Sequence, residues 1–446
     1  MKKLFGTDGI RGNSSNFPFD QNTLNIIGMA IAEVLGNKKN ILIIRDTRES
    51  GKKIQKELAK GMLKMDVKPV FSGVMPTAAA SLLVKNGDYS AAIVISASHN
   101  PYIDNGLKIF NSKGFKLADS VEEKIEHKIK KYLDLKAVIA NTKFSIKEDL
   151  TLIKFYEDFL IKNFIGKSLK GKTIVVDCAN GSAYKIVPYV LRKLGAKVIA
   201  LNTRPNGKNI NFNCGALYPK VVAEHVKKHN AFCGFAFDGD SDRLVCVDEK
   251  GIIKDGDYFL FAMAKWLKSN NKLKNNTLVS TVMANLGLVH AMESEKINIV
   301  LSKVGDRYVI EDMEKYNSSL GGEQSGHFIF KDILATGDGI LSSIMLLGAL
   351  CESGKTMSEF MEGLEKFPQV LINNRVEKRI PIEQLPKSYK LIKEYEKLLD
   401  KDGRILARYS GTENLLRVMV EGKNLEKIKK LAESLVTNIC KEVRSI

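Results

Sequence analysis

Residues 95–101, with the sequence Ile-Ser-Ala-Ser-His-Asn-Pro, are the first segment whose side chains could do chemistry. An apolar strand predicted over residues 91–95 ends there in hydroxyls, an imidazole and an amide, and Pro101 stops the strand. Because α/β sheets bind ligands at strand ends, we expect Ser98 to be exposed there. A serine must be activated to act as a nucleophile, whereas a phosphoserine is already a loaded donor. A polar turn has the same composition, so this segment alone leaves both interpretations open.

Three aspartates alternate along residues 238–243, whose sequence is Asp-Gly-Asp-Ser-Asp-Arg. On an extended loop such carboxylates point to one side, which suits a hard divalent cation. The competing interpretation is a calcium-binding EF-hand, because Glu249 is the twelfth residue of such a loop. It fails because Arg243 stands where the EF-hand turn needs glycine and because both flanks are predicted strands. A solvated acidic turn is disfavoured, since close carboxylates repel one another without a cation. The segment predicts a magnesium site on Asp238, Asp240 and Asp242.

Residues 321–327, Gly-Gly-Glu-Gln-Ser-Gly-His, form a third segment, followed by Thr-Gly-Asp-Gly at 336–339. Glycines let the backbone approach a ligand closely, while Glu323 and Ser325 offer an acceptor and a donor to sugar hydroxyls. His327 is a residue that could shuttle a proton. A flexible hairpin would have the same sequence, so the segment is weak evidence by itself.

Residues 408–413, Arg-Tyr-Ser-Gly-Thr-Glu, form the fourth segment, with Arg417 just beyond it. A tight turn here would present hydroxyl and N–H donors from Ser410, Gly411 and Thr412, and Arg408 would add the fork geometry that binds phosphate. The alternative is a helix capping box, because a serine and a glutamate stand three residues apart. That alternative is disfavoured because residues 415–420 are predicted to form a strand.

Strands and helices alternate along most of the chain and must position these segments. The predicted strands are residues 40–44, 91–95, 173–176, 196–201, 231–237 and 244–247, and the predicted helices are residues 53–65, 121–133, 183–194, 388–399 and 425–443. This alternation predicts α/β layers with partly parallel sheets. We place breaks near residue 145, after a turn at 248–251, and at residues 367–374, which we interpret as a linker into a smaller final domain.

The composition is that of an ordinary globular protein, with 446 residues of which 44% are apolar and 27% charged. No run approaches the roughly 20 apolar residues that a membrane helix needs. The first five residues resemble the start of a signal peptide, but Gly6, Thr7 and Asp8 interrupt it. The six cysteines are scattered without a metal-binding spacing, as expected of reduced thiols. We therefore expect a cytoplasmic protein with no membrane partner.

The formal net charge of +18 comes mostly from lysines spread along the chain. A basic surface attracts anions, among them nucleic acid, acidic lipid and phosphorylated metabolites. Residues 124–131 show the usual pattern, in which lysines line the solvated face of a predicted helix. No module of aromatic and basic residues accompanies the charge, so we expect no nucleic-acid partner.

Taken together and in this order, the four segments resemble the α-D-phosphohexomutase superfamily, which has a phosphoserine loop, a metal loop, a sugar-reading loop and a phosphate-binding loop. The resemblance also includes residues 5–12, 45–51, 209–215, 304–308 and 417–422, and so spans nearly the whole chain. The opening Gly-Thr-Asp-Gly-Ile-Arg-Gly, residues 281–287 and Gln324 indicate its phosphoglucosamine mutase branch. The departures, at Ala78, Ala216, Ser241 and Asn414, are neighbours of functional residues and leave the reaction class intact.

The resemblance implies three mixed-sheet α/β domains and a smaller C-terminal α+β domain around a central cleft. The domains would be residues 1–145 with the phosphoserine loop, 146–250 with the metal loop, 251–367 with the sugar loop and 368–446 with the phosphate loop. The implied reaction interconverts glucosamine 6-phosphate and glucosamine 1-phosphate through a 1,6-bisphosphate. A phosphoglucomutase or a phosphomannomutase is the alternative, and a homodimer is possible.

The resemblance also implies residue roles. Ser98 would be the phosphorylated serine, and its phosphate would join Asp238, Asp240 and Asp242 around Mg²⁺. Lys108, Arg11 and His327 would be the candidates for proton handling or charge stabilisation. The residues implied to bind the phosphosugar substrate are Arg243, Glu323, Ser325, Arg408, Ser410, Gly411 and Thr412.

Overall fold

The computed structural model describes residues 3–6, 8–37, 40–137, 144–409 and 414–445. The chain forms two compact units, one of Met1–Val282 with Val300–Glu362 and the other of Met283–Ile299 with Gly363–Ile446. Within the described residues there are four sheets, of which three mix parallel and antiparallel strands and are flanked by helices, and one is small and antiparallel. This confirms the predicted fold class of three mixed sheets with flanking helices (α/β) and a smaller C-terminal α+β part.

The first sheet has six strands in the order β1-β2-β6-β5-β3-β4. Its strands are β1 (Phe5–Gly6), β2 (Gly9–Asn13), β3 (Asn40–Arg45), β4 (Pro69–Val74), β5 (Tyr89–Ile95) and β6 (Asp104–Asn111), and its helices are α1 (Gln21–Leu35), α2 (Ser50–Lys64), α3 (Thr77–Asn86) and α4 (Asp119–Asp134). β3 lies parallel to β4 and β5, and β6 is antiparallel to β5 and β2. The apolar run of β3 is buried throughout, as is typical of a parallel strand covered on both faces.

The second sheet has the order β11-β10-β9-β7-β8. Its strands are β7 (Thr173–Asp177), β8 (Lys197–Leu201), β9 (Cys233–Phe237), β10 (Leu244–Val247) and β11 (Ile253–Lys254), and its helices are α5 (Thr151–Lys162), α6 (Ile186–Lys193) and α7 (Lys220–His229). β7 is parallel to β8 and β9, whereas β9 and β10 are antiparallel. The aspartate segment is therefore the connection between two adjacent strands, which confirms the strand flanks that argued against an EF-hand.

The third sheet has the order β13-β12-β14-β15. In chain order, the elements between residues 256 and 360 are α8 (Gly256–Ser269), β12 (Thr277–Thr281), α9 (Leu286–Ser294), β13 (Asn298–Ser302), α10 (Asp306–Lys315), β14 (Leu320–Gly322), β15 (Phe328–Phe330), α11 (Gly339–Ser353) and α12 (Met357–Phe360), of which α9 belongs to the other compact unit. α11 is apolar on all sides because it is buried along most of its length. Among the described residues, no helix combines the length and apolar character needed to cross a membrane.

The fourth sheet has the order β16-β18-β17 and is antiparallel throughout. Its elements are β16 (Gln369–Arg375), α13 (Pro386–Leu399), β17 (Gly403–Tyr409), β18 (Leu415–Gly422) and α14 (Leu425–Ser445). The interpretation of residues 367–374 as a linker was wrong. Gln369–Arg375 pairs with β18 over its whole length, and alternate side chains, Val370 and Ile372, pack on the core of this layer.

Candidate active site

Ser98 lies in the loop after β5 and is only 2% exposed, so the expectation of an exposed serine was wrong. Its Oγ donates a hydrogen bond of 2.6 Å to Asp238 Oδ2, and its N–H donates one of 2.9 Å to Ser96 Oγ. The φ angle of Ser98 is 52°, in the left-handed region that side chains other than glycine seldom adopt. The serine is buried because the aspartate loop of the second sheet covers it. This loop conformation places the hydroxyl against a carboxylate.

Asp238, Asp240 and Asp242 are all buried in the connection between β9 and β10, and one carboxylate oxygen of each lies within 4.8 Å of the others. The N–H of Arg243 donates to Asp238 Oδ1 at 3.1 Å, which fixes the turn. Gly239 must be glycine here, since a Cβ atom would lie 2.6 Å from the carbonyl oxygen of Ser98. The sequence spacing thus does bring the three carboxylates together, directly beside the serine loop.

These three carboxylates fit a hard divalent cation. Asp240 Oδ1 and Asp242 Oδ1 are buried without a hydrogen-bond partner in the described part of the chain, which is costly for a charged oxygen. Burial, and then the charges of Asp242 and Asp240, hold the pKa of Asp238 well above its usual range. A cation would supply the missing partner and relieve the repulsion. An all-oxygen donor set is the one that Mg²⁺ and Ca²⁺ prefer.

Lys108 reaches the aspartates from β6. Its Nζ lies 2.9 Å from Asp240 Oδ2 and 3.0 Å from Asp242 Oδ2. Burial alone would lower the pKa of Lys108, but the attraction of these two carboxylates outweighs it and the pKa stands well above its usual value. Burial would likewise raise the pKa of Asp242, yet Lys108 holds it below the usual range. Lys108 is therefore a permanent positive charge next to the aspartates.

Three charged residues of the site, Asp8, Lys116 and Asp306, were missed as candidates. Lys116 Nζ lies 2.6 Å from Asp306 Oδ2 and also bonds to Asp8, which in turn pairs with Arg11 on β2. Arg11 also donates to the carbonyl oxygen of Ala97, at 3.3 Å, and so contacts the serine loop. Two of the three stand in segments that carry the family resemblance, which was a usable signal. No sequence pattern singles out Lys116, and only the fold brings it to the site.

The segment with Glu323 and Ser325 is the turn between β14 and β15, so its hairpin structure and its candidate role are compatible. Glu323 Oε1 accepts from the N–H of Gly305 at 3.1 Å, and Glu323 Oε2 accepts from Ser325 Oγ at 3.3 Å. His327 is 6% exposed, and its Nε2 lies 3.8 Å from Asp306 Oδ2. The two hydrogen bonds hold the carboxylate of Glu323 in a fixed position, and the imidazole of His327 lies beside the carboxylate of Asp306.

Gln324, in the same turn, bonds to helix α8 and not to Glu323, Ser325 or His327. Its Nε2 donates at 3.0 Å to Asp257 Oδ2 on α8. This amide therefore ties the turn to a helix, and any influence of Gln324 on the choice of sugar would act through the position of the turn.

A cavity of about 210 Å³ joins the serine, the aspartate loop and the sugar-loop residues. Its lining is rich in charged groups of both signs and includes Arg11, Ser98, Asp242, Arg243, Glu323 and His327, together with Asp8, Lys116 and Asp306. Burial would lower the pKa of Arg243, but Asp242 and Asp238 keep it raised, so this guanidinium is always charged. The cavity can thus bind a molecule that carries both hydroxyls and negative charge.

Arg408 lies on β17 in the other compact unit, directly opposite Arg417 on β18. Burial and then the neighbouring charge of Arg417 lower the pKa of Arg408. Two adjacent guanidinium groups favour a doubly negative partner such as phosphate. Ser410, Gly411 and Thr412 lie outside the described residues, as does the capping-box alternative, so the phosphate-binding turn stays a prediction.

Comparison with known proteins shows one family along the chain. Models of the phosphoglucomutase/phosphomannomutase family match residues 2–136 as alpha/beta/alpha domain I, 154–251 as domain II, 255–367 as domain III and 371–438 as the C-terminal domain. The predicted domain limits differ slightly from these matched ranges and stay predictions.

Full-length relatives give the same result. The chain is 43% identical to a phosphoglucosamine mutase of Caldicellulosiruptor bescii, over 98% of this chain and 99% of that one, and 41% identical to one of Chlamydia abortus, over 99% and 98%. A phosphoglucomutase/phosphomannomutase family protein from Burkholderia thailandensis has the same fold, with a TM-score of 0.80, 22% identity and coverage of 99% and 98%. An N-acetylphosphoglucosamine mutase of Aspergillus fumigatus, solved with GlcNAc-6P and magnesium, matches with a TM-score of 0.62, 17% identity and coverage of 98% and 96%.

Proposed function

The chain belongs to the phosphoglucosamine mutase family of the phosphohexomutases, and we propose that it interconverts glucosamine 6-phosphate and glucosamine 1-phosphate through a phosphoserine at Ser98. The observation that carries the proposal is the cavity in which Ser98 meets Glu323, His327 and the positively charged side chains of Arg11, Lys116 and Arg243. The named relatives suggest the sugar, and the cavity suggests the chemistry.

Ser98 is placed to give and to take a phosphoryl group. In the forward direction the bond between phosphorus and Ser98 Oγ breaks, and a bond to the free sugar hydroxyl forms, giving the 1,6-bisphosphate. The hydroxyl loses its proton to a base, for which His327 is our candidate, and the base passes this proton to Ser98 Oγ. After the bisphosphate turns over, Ser98 Oγ attacks the other phosphorus, the bond between that phosphorus and its sugar oxygen breaks, and the proton of Ser98 Oγ passes through the base to the sugar oxygen. The hydrogen bond of 2.6 Å to Asp238 orients the serine hydroxyl for this second step.

The charges around Ser98 match what phosphoryl transfer needs, which is neutralisation of the moving oxygens and alignment of the two end oxygens. Asp238, Asp240 and Asp242 would hold Mg²⁺, which when bound neutralises phosphoryl oxygens. Lys108 keeps two of these carboxylates in place. Arg11 holds the serine loop through Ala97 and adds positive charge.

The remaining residues would bind the rest of the substrate. Glu323 and Ser325 would read sugar hydroxyls, and Arg243 would attract a phosphate. Arg408, with Ser410, Gly411 and Thr412, would hold the phosphate that is not reacting. A cytoplasmic location, a possible homodimer and the absence of a nucleic-acid partner belong to the same proposal as expectations.

A coupled assay with three substrates tests this function. We expect kcat/KM to be highest for glucosamine 6-phosphate, when it is compared with glucose 6-phosphate and mannose 6-phosphate at equal Mg²⁺ and trace bisphosphate. Ser98→Ala, purified in parallel, measures any contaminating mutase. A higher kcat/KM for glucose 6-phosphate or mannose 6-phosphate would contradict the amino-sugar assignment and favour the phosphoglucomutase or phosphomannomutase alternative.

A further inference from the structure

The backbone of the loop that carries Ser98 is held by a buried arginine. The two terminal nitrogens of Arg48 donate to four carbonyl oxygens of residues 98–104: Nη2 to Ser98 and Asn100, both at 2.9 Å, and Nη1 to Pro101 and to Asp104, the latter at 3.0 Å. The Nε of Arg48 donates to Asp46 Oδ2 at 2.8 Å, so both charged groups are paired. One side chain therefore fixes the path of the whole loop.

Asn211 holds the same loop from the second sheet's layer. Its Nδ2 donates to the carbonyl oxygens of Ser98, at 2.8 Å, and Asn100, at 3.2 Å. The backbone N–H of Asn211 donates to Ala179 at 2.9 Å, so the amide is presented from a fixed position. Two segments that carried the family resemblance without a role, residues 45–51 and 209–215, thus meet at one carbonyl oxygen.

We propose that Asn211 and Arg48 are positioning residues that hold the carbonyl of Ser98 and thereby direct its Oγ to the aspartate loop. The inference rests on the proposed function, because it concerns the phosphoserine. Ser98 has a φ of 52°, a conformation that a serine keeps only when its surroundings impose it. With its carbonyl fixed on one side, the hydroxyl stands 2.6 Å from Asp238 on the other.

The consequence is kinetic. Phosphoryl transfer depends on in-line alignment, and a misplacement of about 1 Å can cost about a hundredfold in rate. Loss of the amide of Asn211 leaves Arg48 in place, so the loop should still fold but should sample other conformations. Substrate binding should change little, because Asn211 is not among the residues lining the cavity.

The test uses two substitutions at Asn211 and one matched control. Asn211→Gly removes the amide and tolerates the φ of 59°, and Asn211→Asp keeps the shape but turns an acceptor toward two carbonyl oxygens. Asn213→Gly makes the same change two residues away, at an exposed asparagine with a φ of 51°. We measure kcat and KM for glucosamine 6-phosphate, the phosphate content of Ser98 by mass spectrometry, and Tm.

We expect both Asn211 variants to lose tenfold or more in kcat with KM within about threefold of wild type, while Asn213→Gly matches the wild type. A kcat within twofold of wild type in both variants would overturn the proposal, and so would a loss that appears only in KM. If both variants are unfolded at the assay temperature, Arg48→Lys, which keeps the charge beside Asp46 but not the fork, decides by the same criterion. A wild type inactive on glucosamine 6-phosphate would instead refute the proposed function.

Discussion

The substitution Asp240→Asn tests the metal site most sharply, because it removes one charge and keeps one oxygen. Asp240 Oδ2 accepts hydrogen bonds from Thr77 Oγ1 at 2.6 Å and from Lys108 Nζ at 2.9 Å. Its other oxygen is buried and has no hydrogen-bond partner among the described residues. The substitution therefore acts on one ion pair and on one oxygen that is free for a cation.

The expected effects of Asp240→Asn on stability and on metal binding follow from these contacts. A hydrogen bond to a charged group contributes about 1.5–3 kcal/mol. Lys108 keeps Asp242 as its partner, and the loss of one of three repelling carboxylates offsets part of the cost, so without metal the free energy of unfolding should fall by about 1–2 kcal/mol. If the cation loses an attraction of similar size, metal binding should weaken by about 10- to 100-fold, because about 1.4 kcal/mol corresponds to a factor of ten in affinity.

The assay is a Mg²⁺ titration of activity, with thermal unfolding measured in EDTA and in saturating Mg²⁺. Asp240→Asn should need about 10- to 100-fold more Mg²⁺ for half-maximal activity and should regain part of the wild-type rate at high Mg²⁺. Asp158→Asn, which removes a carboxylate from an exposed pair with Lys154, is the control and should titrate like the wild type. Half-maximal activity of Asp240→Asn at the wild-type Mg²⁺ concentration, or full activity of the wild type in EDTA, would show that Asp240 does not bind a catalytic Mg²⁺.

Two further predictions concern Arg408 and the buried carboxyl group of Asp338. Arg408→Ala should raise KM for glucosamine 6-phosphate more than tenfold, since a charge-assisted hydrogen bond contributes about 1.5–3 kcal/mol. Added bisphosphate should increase the rate of this variant more than that of the wild type. An unchanged KM in a bisphosphate titration would contradict this prediction. Asp338 accepts a hydrogen bond of 2.8 Å from Tyr156, and burial raises the pKa of its carboxyl group to about 6. Between pH 3.8, the usual pKa of aspartate, and pH 6, the folded protein therefore retains a proton that the unfolded chain releases. Stability should therefore fall by about 2–3 kcal/mol as the pH rises from about 4 to about 6. Asp338→Asn should flatten that part of the Tm profile, and an unaltered profile would show that another group is responsible.

Much of the fold could be predicted because its signals are local. The strand at residues 244–247 was predicted with the limits that the structure shows, since a short apolar run between turns is sufficient evidence. The spacing of Asp238, Asp240 and Asp242 predicted their convergence for the same reason. Residues 367–374 were misread because β16 is recognisable mainly through its partner β18, which begins at Leu415, far along the chain from the end of β16 at Arg375.

The parts of the site that were missed depend on distant contacts. Ser98 is buried because a loop from another layer covers it, which no property of residues 95–101 reveals. Lys116 comes to the site from the loop after β6, and its partner Asp306 begins α10. The side chain of Asn211 donates a hydrogen bond to the backbone carbonyl oxygen of Ser98. Every residue has such a carbonyl, so no sequence pattern could single out this contact.

If Ser98 carries the phosphoryl group, as we propose, the transfer of that group can be followed directly. Enzyme phosphorylated with glucosamine 1,6-bisphosphate, freed of excess ligand and mixed with glucosamine 6-phosphate, should lose phosphate from the peptide containing Ser98 and produce an equal amount of bisphosphate. Ser98→Ala should carry no phosphate and show no turnover, whereas Ser90→Ala, a change on β5 away from the cavity, should behave like the wild type. Phosphate on a different residue, or near-normal turnover by Ser98→Ala, would show that Ser98 does not carry the phosphoryl group.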